Sequence, residues 1–265
     1  MERTQGDTGH DPGGAPEPRL SAIIIARDEA ANLPDCLTSL AFCDETVVVD
    51  GGSTDDTVAI AEKAGARVVA RPHFTGFGAQ KQAALDAARG AWVLSVDADE
   101  RVPDALAREI VATLAQPVHD GYRINRATMF LGRYLKHGGW YPDRVLRLAR
   151  RDKARFSTDP VHERLDVAGS VGDLANDMAH LSYRTVDDVL AKQRRYATLS
   201  AQVRRDRGAS GGLGVALARG AFTFLKHYVV QLGLLDGGRG LVAAIAKAQE
   251  AFWRYLAVGW DERVP

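Results

Sequence analysis

The sequence predicts an α/β fold: a sheet flanked by helices and followed by a helical extension. Two observations carry this prediction. Apolar runs rich in β-branched residues alternate with helical segments of about ten residues up to residue 115, which is typical of parallel strands joined by crossover helices. The last third of the chain has helical periodicity instead. Because such sheets bind ligands at the carboxyl ends of their strands, functional residues are expected there.

The elements follow in order from apolar pattern and breaker residues. Residues 1–19 mix glycine, proline and charge without periodicity and predict a disordered tail. Strands are predicted at 21–26, 46–49, 67–70 and 92–96, helices at 32–40 (capped by Asn32), 54–64, 79–88 and 103–115, and short mixed strands at 121–128, 144–149 and 164–167. The predicted domains are therefore the tail 1–19, an α/β domain at 20–182 and a helical extension at 183–265.

Three helices are predicted in the extension. Thr185 with Asp188 three residues later has the spacing of a capping box and marks the first. A glycine-rich linker at 208–214 and a break at 236–238 separate the other two. Their apolar stripes are Leu217, Ala221, Phe224, Leu225, Tyr228 and Leu232, and then Leu241, Ile245, Phe252, Tyr255 and Leu256.

Charge is segregated along the chain although the net charge is zero. Residues 1–100 carry 8 basic and 17 acidic side chains, whereas 123–155 carry 10 and 2 and 184–228 carry 9 and 3. An acidic first part suits a metal site, and a basic second part suits an anionic partner such as a phosphorylated acceptor or a membrane surface. Solvated helix faces would give the same counts.

Composition narrows the class of protein. Hydrophobic residues at 46% and charged residues at 26% argue against wholesale disorder and a coiled coil. The two cysteines lack metal-ligand or disulfide spacing and fit a reducing, cytoplasmic setting. No apolar stretch reaches the ~18 residues of a membrane span. With neither a basic-aromatic motif nor a recognition helix, no nucleic-acid partner is expected.

Asp97-Ala98-Asp99 directly follows the buried run WVLSV. Two carboxylates at a strand mouth can share Mg²⁺ or Mn²⁺, or one can ligate the metal while the other binds a ribose hydroxyl. Since Mg²⁺ completes its shell with substrate phosphates, the pair implies a nucleoside diphosphate ligand. Solvated aspartates, or a cap on the next helix, are the plainer alternative.

Carboxylates also end the first two strands. Asp50 in VVVDGGSTDDT is placed to accept the N3 hydrogen of a uracil ring, and the glycines after it allow close approach. Ser53 and Asp56 have helix-cap spacing and are interpreted as structural. After the first strand, Glu29 or the backbone of Ala26 is expected to contact the nucleoside. The structural alternative is that the acidic residues here only stabilise the N-terminus of the following helix.

The segments SAIIIARDEAANLPDCLTSL, ETVVVDGGSTDDT, GFGAQKQAAL and GAWVLSVDADERV resemble, in order and spacing, the family 2 glycosyltransferases of the GT-A fold. HGGWYPDRVLRLARR, PVHERL and LLDGGRG are similar to the bacterial branch that transfers glucose to the lipopolysaccharide inner core. The resemblance implies a Rossmann-like mixed sheet and an inverting transfer assisted by a divalent cation. The implied donor is UDP-glucose, and the implied acceptor is an anionic lipid-linked saccharide.

The resemblance also implies a carboxylate that takes the proton of the acceptor hydroxyl. Glu163 in PVHERL is the first candidate, although it stands as His-Glu rather than the Glu-Asp pair common in the family, and Asp143 is the runner-up. Pairing of Glu163 with neighbouring arginines is the structural alternative. His162 is a third candidate metal ligand or a phosphate contact, or else a hydrogen-bonded structural residue.

Further candidates have equally plain structural alternatives. Lys81 is expected over the nucleotide or its phosphates, unless it is a solvated helix lysine. Trp140 and Tyr141 offer faces for sugar stacking, unless they only pack. Lys192 and Arg195 are expected to contact diphosphate or acceptor phosphate, unless they form an exposed basic face.

The predicted enzyme works at the cytoplasmic face of the plasma membrane, held there peripherally by its late helices. Transfer to polyprenyl phosphate or another glycan is the nearest alternative. A nucleotide-sugar binding protein without catalysis is the alternative from another class, and it would keep Asp50 and Asp97 without needing Glu163.

Overall fold

The computed structural model describes residues 19–73, 76–157 and 163–260. The strands are β1 (Leu20–Ala26), β2 (Glu45–Asp50), β3 (Arg67–Ala70), β4 (Trp92–Ser95), β5 (Glu100–Arg101), β6 (Gly121–Phe130), β7 (Arg133–Tyr134), β8 (Arg144–Arg150), β9 (Ala154–Phe156), β10 (Leu165–Val167) and β11 (Val171–Tyr183). The helices are α1 (Leu33–Ser39), α2 (Thr57–Lys63), α3 (Phe77–Ala87), α4 (Asp104–Ala115), α5 (Val186–Asp206), α6 (Leu213–Leu225) and α7 (Gly237–Trp260). Apart from Arg19, the predicted tail lies outside the described residues.

The predicted mixed α/β sheet is confirmed. Its strand order is β3-β2-β1-β4-β8-β6-β11-β5, with β7 paired to β6, and β9 and β10 form a separate ribbon. The first four strands are parallel, as their alternation with helices predicted. Strand β8 runs antiparallel to β4, so the start of β8 lies beside the end of β4. The edge that collects the strand ends of the first half therefore also receives residues of the second half.

Strand β11 was missed by the sequence prediction, although it lies inside the sheet between β6 and β5. Its pairing with β6 is parallel and is interrupted by register shifts between Asp173 and Asp177 and between His180 and Tyr183. Each shift breaks the two-residue alternation by which a strand is recognised in a sequence. Leu174 and Met178 nevertheless point into the core.

The sheet is covered on both faces, which explains the continuous apolar runs of its central strands. On one face, Leu33 of α1 and Leu106 of α4 pack in a cluster with Ile24. On the other face, Leu85 of α3 packs in a cluster with Ile23. Strand β1 therefore buries successive side chains in opposite layers and is fixed between them.

Of the predicted N-terminal caps of α5 and α1, the first is confirmed and the second is wrong. The capping box of α5 is confirmed, since Thr185 Oγ1 accepts from the backbone N of Asp188 and the Asp188 carboxylate accepts from the backbone N of Thr185. The predicted side-chain cap at Asn32 is wrong. Asn32 does precede α1, but its amide donates to the carboxylate of Glu29, 2.6 Å away, instead of accepting from the helix.

The buried residues of the last two helices are mostly small. Ala216 and Gly220 are the buried residues of α6, and those of α7 include Gly240 and Ala243. A Cβ at Gly240 would overlap the carbonyl oxygen of Gly233, so the start of α7 requires glycine there. Much of the predicted apolar stripes therefore faces outward.

No single described helix is long and apolar enough to cross a bilayer; Leu213–Val230 and Gly233–Trp260, bent by 71° relative to each other, reach that length and composition only as a pair.

The predicted boundary between residues 182 and 183 falls where β11 ends and α5 is about to begin. This division into domains stays a prediction.

Candidate active site

The carboxyl ends of the parallel strands bring the first predicted residues together. Ala26 and Asp50 are register partners at the ends of β1 and β2. The backbone N of Gly51 donates to the carbonyl of Ala26 at 2.8 Å, and that of Val96 donates to the carbonyl of Ile23 at 3.0 Å. The backbone bonds thus continue past the strands, and Asp97 follows at the same edge.

Asp50 is buried and its carboxylate organises the turn that follows it. It accepts from the backbone N of Gly52 at 3.0 Å and from both the backbone N and the hydroxyl of Ser53. The Ser53 hydroxyl also accepts from the backbone N of Asp28, which ties the loops after β1 and β2 together. The predicted side-chain cap by Ser53 and Asp56 is therefore wrong, since Ser53 serves the turn and Asp56 caps nothing with its side chain.

Glu29 lies at the same edge, half-buried. Its backbone N donates to the hydroxyl of Thr57 at 2.8 Å, which fixes the loop after β1 against the start of α2. Burial raises the pKa of the Glu29 carboxyl and the charge of Asp99 adds to the rise, against the hydrogen bond from Asn32. Glu29 and Asp99 are thus close enough to sense each other electrostatically.

Asp97 is held between two cations from different elements. Lys81 of α3 lies with Nζ 3.0 Å from Oδ1, and Arg147 of β8 lies with Nη2 2.7 Å from Oδ2. The same Arg147 nitrogen is 2.6 Å from the Glu100 carboxylate, which in turn accepts from the backbone N of Asp97 at 2.9 Å. The side chains of Arg147 and Glu100 are 4% and 0% exposed, whereas that of Asp97 is 28% exposed, so the inner part of the cluster is closed to water and Asp97 faces the mouth of the sheet.

Burial and pairing set the charges of this cluster. Burial opposes ionisation of Asp97, but Arg147 and Lys81 outweigh it and hold the pKa of Asp97 well below its usual range. Burial raises the pKa of Glu100, and the neighbouring charge of Asp97 adds to the rise despite Arg147. The negative charge is therefore concentrated on Asp97, at the mouth of the sheet.

Asp99 is paired with side chains from β11 and α5. Its Oδ2 lies 3.5 Å from His180 Nε2 and 3.5 Å from Lys192 Nζ. Burial opposes ionisation, but the hydrogen bond and charge of His180, with Lys192, lower the pKa of Asp99 to about 2. Both aspartates of the DxD are therefore ionised at neutral pH, and Lys192 lies beside Asp99. Its predicted contact with a phosphate stays a prediction.

Three residues of this cluster were not singled out from the sequence. His180 lies on the missed strand β11, so nothing in the pattern pointed to it. Arg147 carried a usable signal, because it stands at an inward position of the predicted strand RVLRLA and a buried arginine requires carboxylate partners. Glu100, directly after the DxD, is the partner such reasoning would have found.

Glu163 joins the site through Lys81. Its Oε1 lies 3.3 Å from Lys81 Nζ, so one ammonium bridges the candidate base and Asp97. The start of α3 packs closely against this part of the chain, since a Cβ on Gly78 would overlap the Ser157 carbonyl oxygen. His162 lies outside the described residues.

Asp143, the runner-up, is more firmly paired. Its Oδ2 accepts from Arg126 Nε at 2.9 Å and from Arg126 Nη2 at 2.6 Å, and its backbone N donates to Asn125. Arg126 Nη1 also lies 3.5 Å from Glu100, so Asp143 belongs to the rim of the same ion-pair cluster.

The predicted acceptor residues have different neighbours in the structure. The Trp140 ring packs against Phe130 and Tyr183, with centroids 5.7 and 5.4 Å away, and Lys247 Nζ lies 5.3 Å from the Trp140 centroid. Tyr141 is more exposed and its hydroxyl donates to Asp177 at 3.4 Å. The guanidinium of Arg195 lies 5.3 Å from the ring of Phe77 at the start of α3.

Within the described ranges, no three His, Cys, Asp or Glu groups are clustered to hold a metal ion. Asp97 and Asp99 supply two ionised oxygen donors, which suit a hard divalent cation that takes its remaining ligands from water and a diphosphate. Lys81 is paired with Asp97 and Glu163, and Lys192 is paired with Asp99, donates to the Ser182 hydroxyl and lies over the Tyr183 ring. Both ammonium groups would have to turn away from the aspartates to admit such a cation. The donor set thus fits a metal that arrives with its nucleotide.

A family model described as glycosyl transferase family 2 matches residues 21–164, a range that contains Asp50, Asp97, Asp99 and Glu163. The lipopolysaccharide core biosynthesis glycosyltransferase LpsC of Rhizobium meliloti (strain 1021) is 32% identical over 89% of this chain and 90% of its own. An uncharacterized glycosyltransferase of Rickettsia conorii is 28% identical over 89% of this chain and 88% of its own.

Two solved structures are also similar. Staphylococcus aureus TarS 1-349 in complex with UDP has a TM-score of 0.47 at 17% identity and covers 90% of each chain. Glucosyl-3-phosphoglycerate synthase from Mycobacterium tuberculosis, in complex with Mn²⁺, UDP and glucosyl-3-phosphoglycerate, has a TM-score of 0.43 at 22% identity and covers 72% of this chain and 85% of its own.

The buried cluster makes a testable prediction about stability. Arg147→Met leaves Asp97 and Glu100 without their shared partner and should lower the free energy of unfolding by about 3–5 kcal/mol near neutral pH. The matched control Arg144→Met, in the same strand but in an exposed pair with Asp173, should cost less than about 1 kcal/mol. Urea denaturation measures both, and equal losses would contradict the proposed role of Arg147.

The Arg147→Met deficit should also depend on pH. Burial raises the pKa of Glu100, and in the variant Arg147 no longer opposes this rise. As the pH falls, Glu100 is therefore protonated in the folded variant at a higher pH than in the unfolded chain, which stabilises the folded variant. In the wild type, pairing lowers the pKa of Asp97, and this contribution is lost as the pH falls. The difference between the two proteins should therefore narrow as the pH falls.

Proposed function

The chain belongs to glycosyltransferase family 2, and from this premise we propose that it transfers glucose from UDP-glucose, with inversion, to an anionic lipid-linked saccharide of the lipopolysaccharide core. The observation that carries the proposal is the ionised Asp97–Asp99 pair at the mouth of the sheet, joined through Lys81 to Glu163. A metal-assisted donor site and a proton acceptor are thereby held side by side.

The donor nucleotide is assigned to the ends of β1, β2 and β4. Asp50 accepts from the turn after β2, but a carboxylate has about four acceptor positions, and one remains for the N3 hydrogen of uracil. Ala26 and Glu29 border the nucleoside, and Asp97 is the candidate for the ribose or the metal. Lys81 contributes a positive charge where the diphosphate would lie.

Asp97 and Asp99 are the proposed ligands of Mg²⁺ or Mn²⁺, with His162 as a third candidate. The cation, when bound, would neutralise the charge that develops on the departing diphosphate. The chain's own cations contribute to the same stabilisation, because Lys81 and Lys192 already face the two aspartates and would turn to the phosphate oxygens once a cation replaces them.

Glu163 is the proposed general base. The acceptor hydroxyl oxygen forms a bond to the anomeric carbon while the bond from that carbon to the diphosphate oxygen breaks, and the hydroxyl proton passes to the Glu163 carboxylate. Among the described residues, Lys81 contacts this carboxylate through Oε1, which leaves Oε2 for the proton. Asp143 is the weaker candidate because two nitrogens of Arg126 already occupy its Oδ2.

The acceptor is assigned to the side that carries Trp140, Tyr141, Lys192 and Arg195. Trp140 is half-buried in an aromatic cluster, so Tyr141 presents the more accessible ring for a sugar. Of the basic residues at 123–155, Arg133 and Lys136 are exposed and closely precede Trp140 in the chain, which suits phosphorylated neighbours of the acceptor sugar, whereas Arg150 and Lys153 lie at the other end of β8. The similarity to LpsC, a lipopolysaccharide core biosynthesis enzyme, supports the lipopolysaccharide core as the acceptor class, and such a lipid implies work at the cytoplasmic membrane surface.

A donor panel tests the proposed function. The purified chain is incubated with UDP-glucose, UDP-galactose or UDP-GlcNAc and extracted core lipid, and released UDP is measured with Mg²⁺, with Mn²⁺ and with a chelator. We expect release with UDP-glucose that requires both the lipid and a cation. A parallel incubation contains polyprenyl phosphate in place of core lipid. Release of UDP there but not with core lipid would identify polyprenyl phosphate as the acceptor, and no release with either would favour a nucleotide-sugar binding protein without catalysis.

Glu163→Gln should leave UDP binding nearly intact while turnover falls by roughly 10² to 10⁴, the range for loss of a positioned general base. The amide keeps the size of the side chain but cannot take the proton. Steady-state kinetics with Asp143→Asn as the matched variant measures the effect. Normal turnover of Glu163→Gln together with an inactive Asp143→Asn would transfer the role to Asp143.

A further inference from the structure

Exposed charge on the last two helices has one sign. Residues 207–260 contain six basic and two acidic residues. Both acidic residues, Asp236 and Glu250, are buried. Asp236 accepts from the backbone N of Lys136 and of His137, and Glu250 is paired with Lys247 and Arg254. The charged side chains that remain exposed in this stretch are therefore positive.

The end of α6, the connection to α7 and the start of α7 together form an apolar bend, which we define as residues 222–245. Ten large apolar side chains are exposed in it, including Phe222, Leu225, Val229, Val230, Leu235 and Val242. By contrast, four are exposed among the described residues up to 183. Phe222 is 60% and Val230 is 75% exposed. An apolar patch of this density on a soluble surface marks an interaction site.

Packing of the helices does not use these side chains. Ala216 and Gly220 are the buried residues of α6, and Gly220 faces the Ala248 carbonyl oxygen and Phe252 of α7, whereas the large side chains of the bend are left outside. The exposed bases Lys226 and Arg239 stand within the apolar bend. Within residues 207–260, the surface thus combines an apolar face with positive charge and lacks exposed negative charge.

We propose that the apolar bend docks on an anionic lipid bilayer, with its apolar side chains in the interface and Lys226 and Arg239 at the level of the headgroups. Two helices bent by 71° with this composition suit a segment that lies in the interface. Each basic residue near such a surface adds attraction that salt screens. Against a second copy of this chain, the same positive charges would face each other and repel.

The apolar bend is hydrogen-bonded to the segment that carries Trp140 and Tyr141. The backbone N of Gly138 donates to the carbonyl of Gln231 at 2.8 Å, and His227 Nδ1 lies 2.7 Å from the carbonyl oxygen of Gly138. Together with the Asp236 bonds to Lys136 and His137, these contacts fix the loop between β7 and β8 to the docking surface. A lipid-linked acceptor would therefore approach the site from the side of the apolar bend, a consequence that rests on the proposed function, whereas docking itself does not.

Vesicle co-sedimentation of the full chain tests the docking. Phosphatidylcholine vesicles with and without phosphatidylglycerol are compared for the wild type, for Val230→Glu and for Val118→Glu, a matched control at an apolar position that is 81% exposed outside the extension. We expect the wild type and Val118→Glu to bind only the anionic vesicles and to be released by high salt. Val230→Glu should bind about tenfold more weakly, because a charge replaces an inserted apolar group.

Three results would overturn the docking: wild-type chain left in the supernatant with both vesicles, equal binding of the two variants, or a wild-type dimer in sedimentation velocity that Val230→Glu dissociates.

Measurement of UDP release distinguishes failure of the docking from failure of the proposed function. Val230→Glu should keep wild-type transfer to a deacylated, water-soluble core saccharide and lose it with vesicle-embedded lipid. Absence of transfer in every variant, with the difference in sedimentation intact, would contradict the function and support the docking.

Discussion

A single buried guanidinium holds the end of strand β4 in place. Arg147 enters from the antiparallel neighbour β8 and binds both Asp97 and Glu100, and without it two carboxylates would share a dry space. Such a cluster contributes little net stability compared with apolar packing, yet breaking it is costly. Its effect is therefore on geometry, because it fixes the chain of the DxD where the parallel and antiparallel halves of the sheet meet.

The outer side of the same aspartates is held more loosely. Lys81 and Lys192 come from α3 and α5, and each pairs with an aspartate through a flexible side chain. Arg147 positions Asp97 and, with Lys81, keeps it ionised, and His180 and Lys192 keep Asp99 ionised. Of these partners, the two lysines are the ones that can be exchanged for ligand charge. A site built in this way is preorganised in its backbone and adaptable in its electrostatics, which suits the arrival and departure of a charged nucleotide.

The first half of the fold could be predicted because its strands are buried on both faces and therefore read as continuous apolar runs. Residues that follow these strands, such as Asp50 and Asp97, were found for the same reason. His180 was not, because its strand pairs through register shifts that break the local pattern. Arg147 stood at a visible inward position of a predicted strand, but its partners Asp97 and Glu100 lie far away in the sequence. Apolar stripes of the late helices were visible in the sequence, but the residues that α6 and α7 bury are mostly small, and much of the stripes faces outward.

The central claim is that the two strand-end aspartates hold the donor through a divalent cation. Calorimetric titration of UDP into the wild type, with Mn²⁺ and with a chelator, tests it most directly beside Asp99→Ala and the exposed control Asp173→Ala. The account predicts cation-dependent binding in the wild type and in Asp173→Ala, and binding that is greatly weakened and independent of the cation in Asp99→Ala. Wild-type affinity and cation dependence in Asp99→Ala would contradict it.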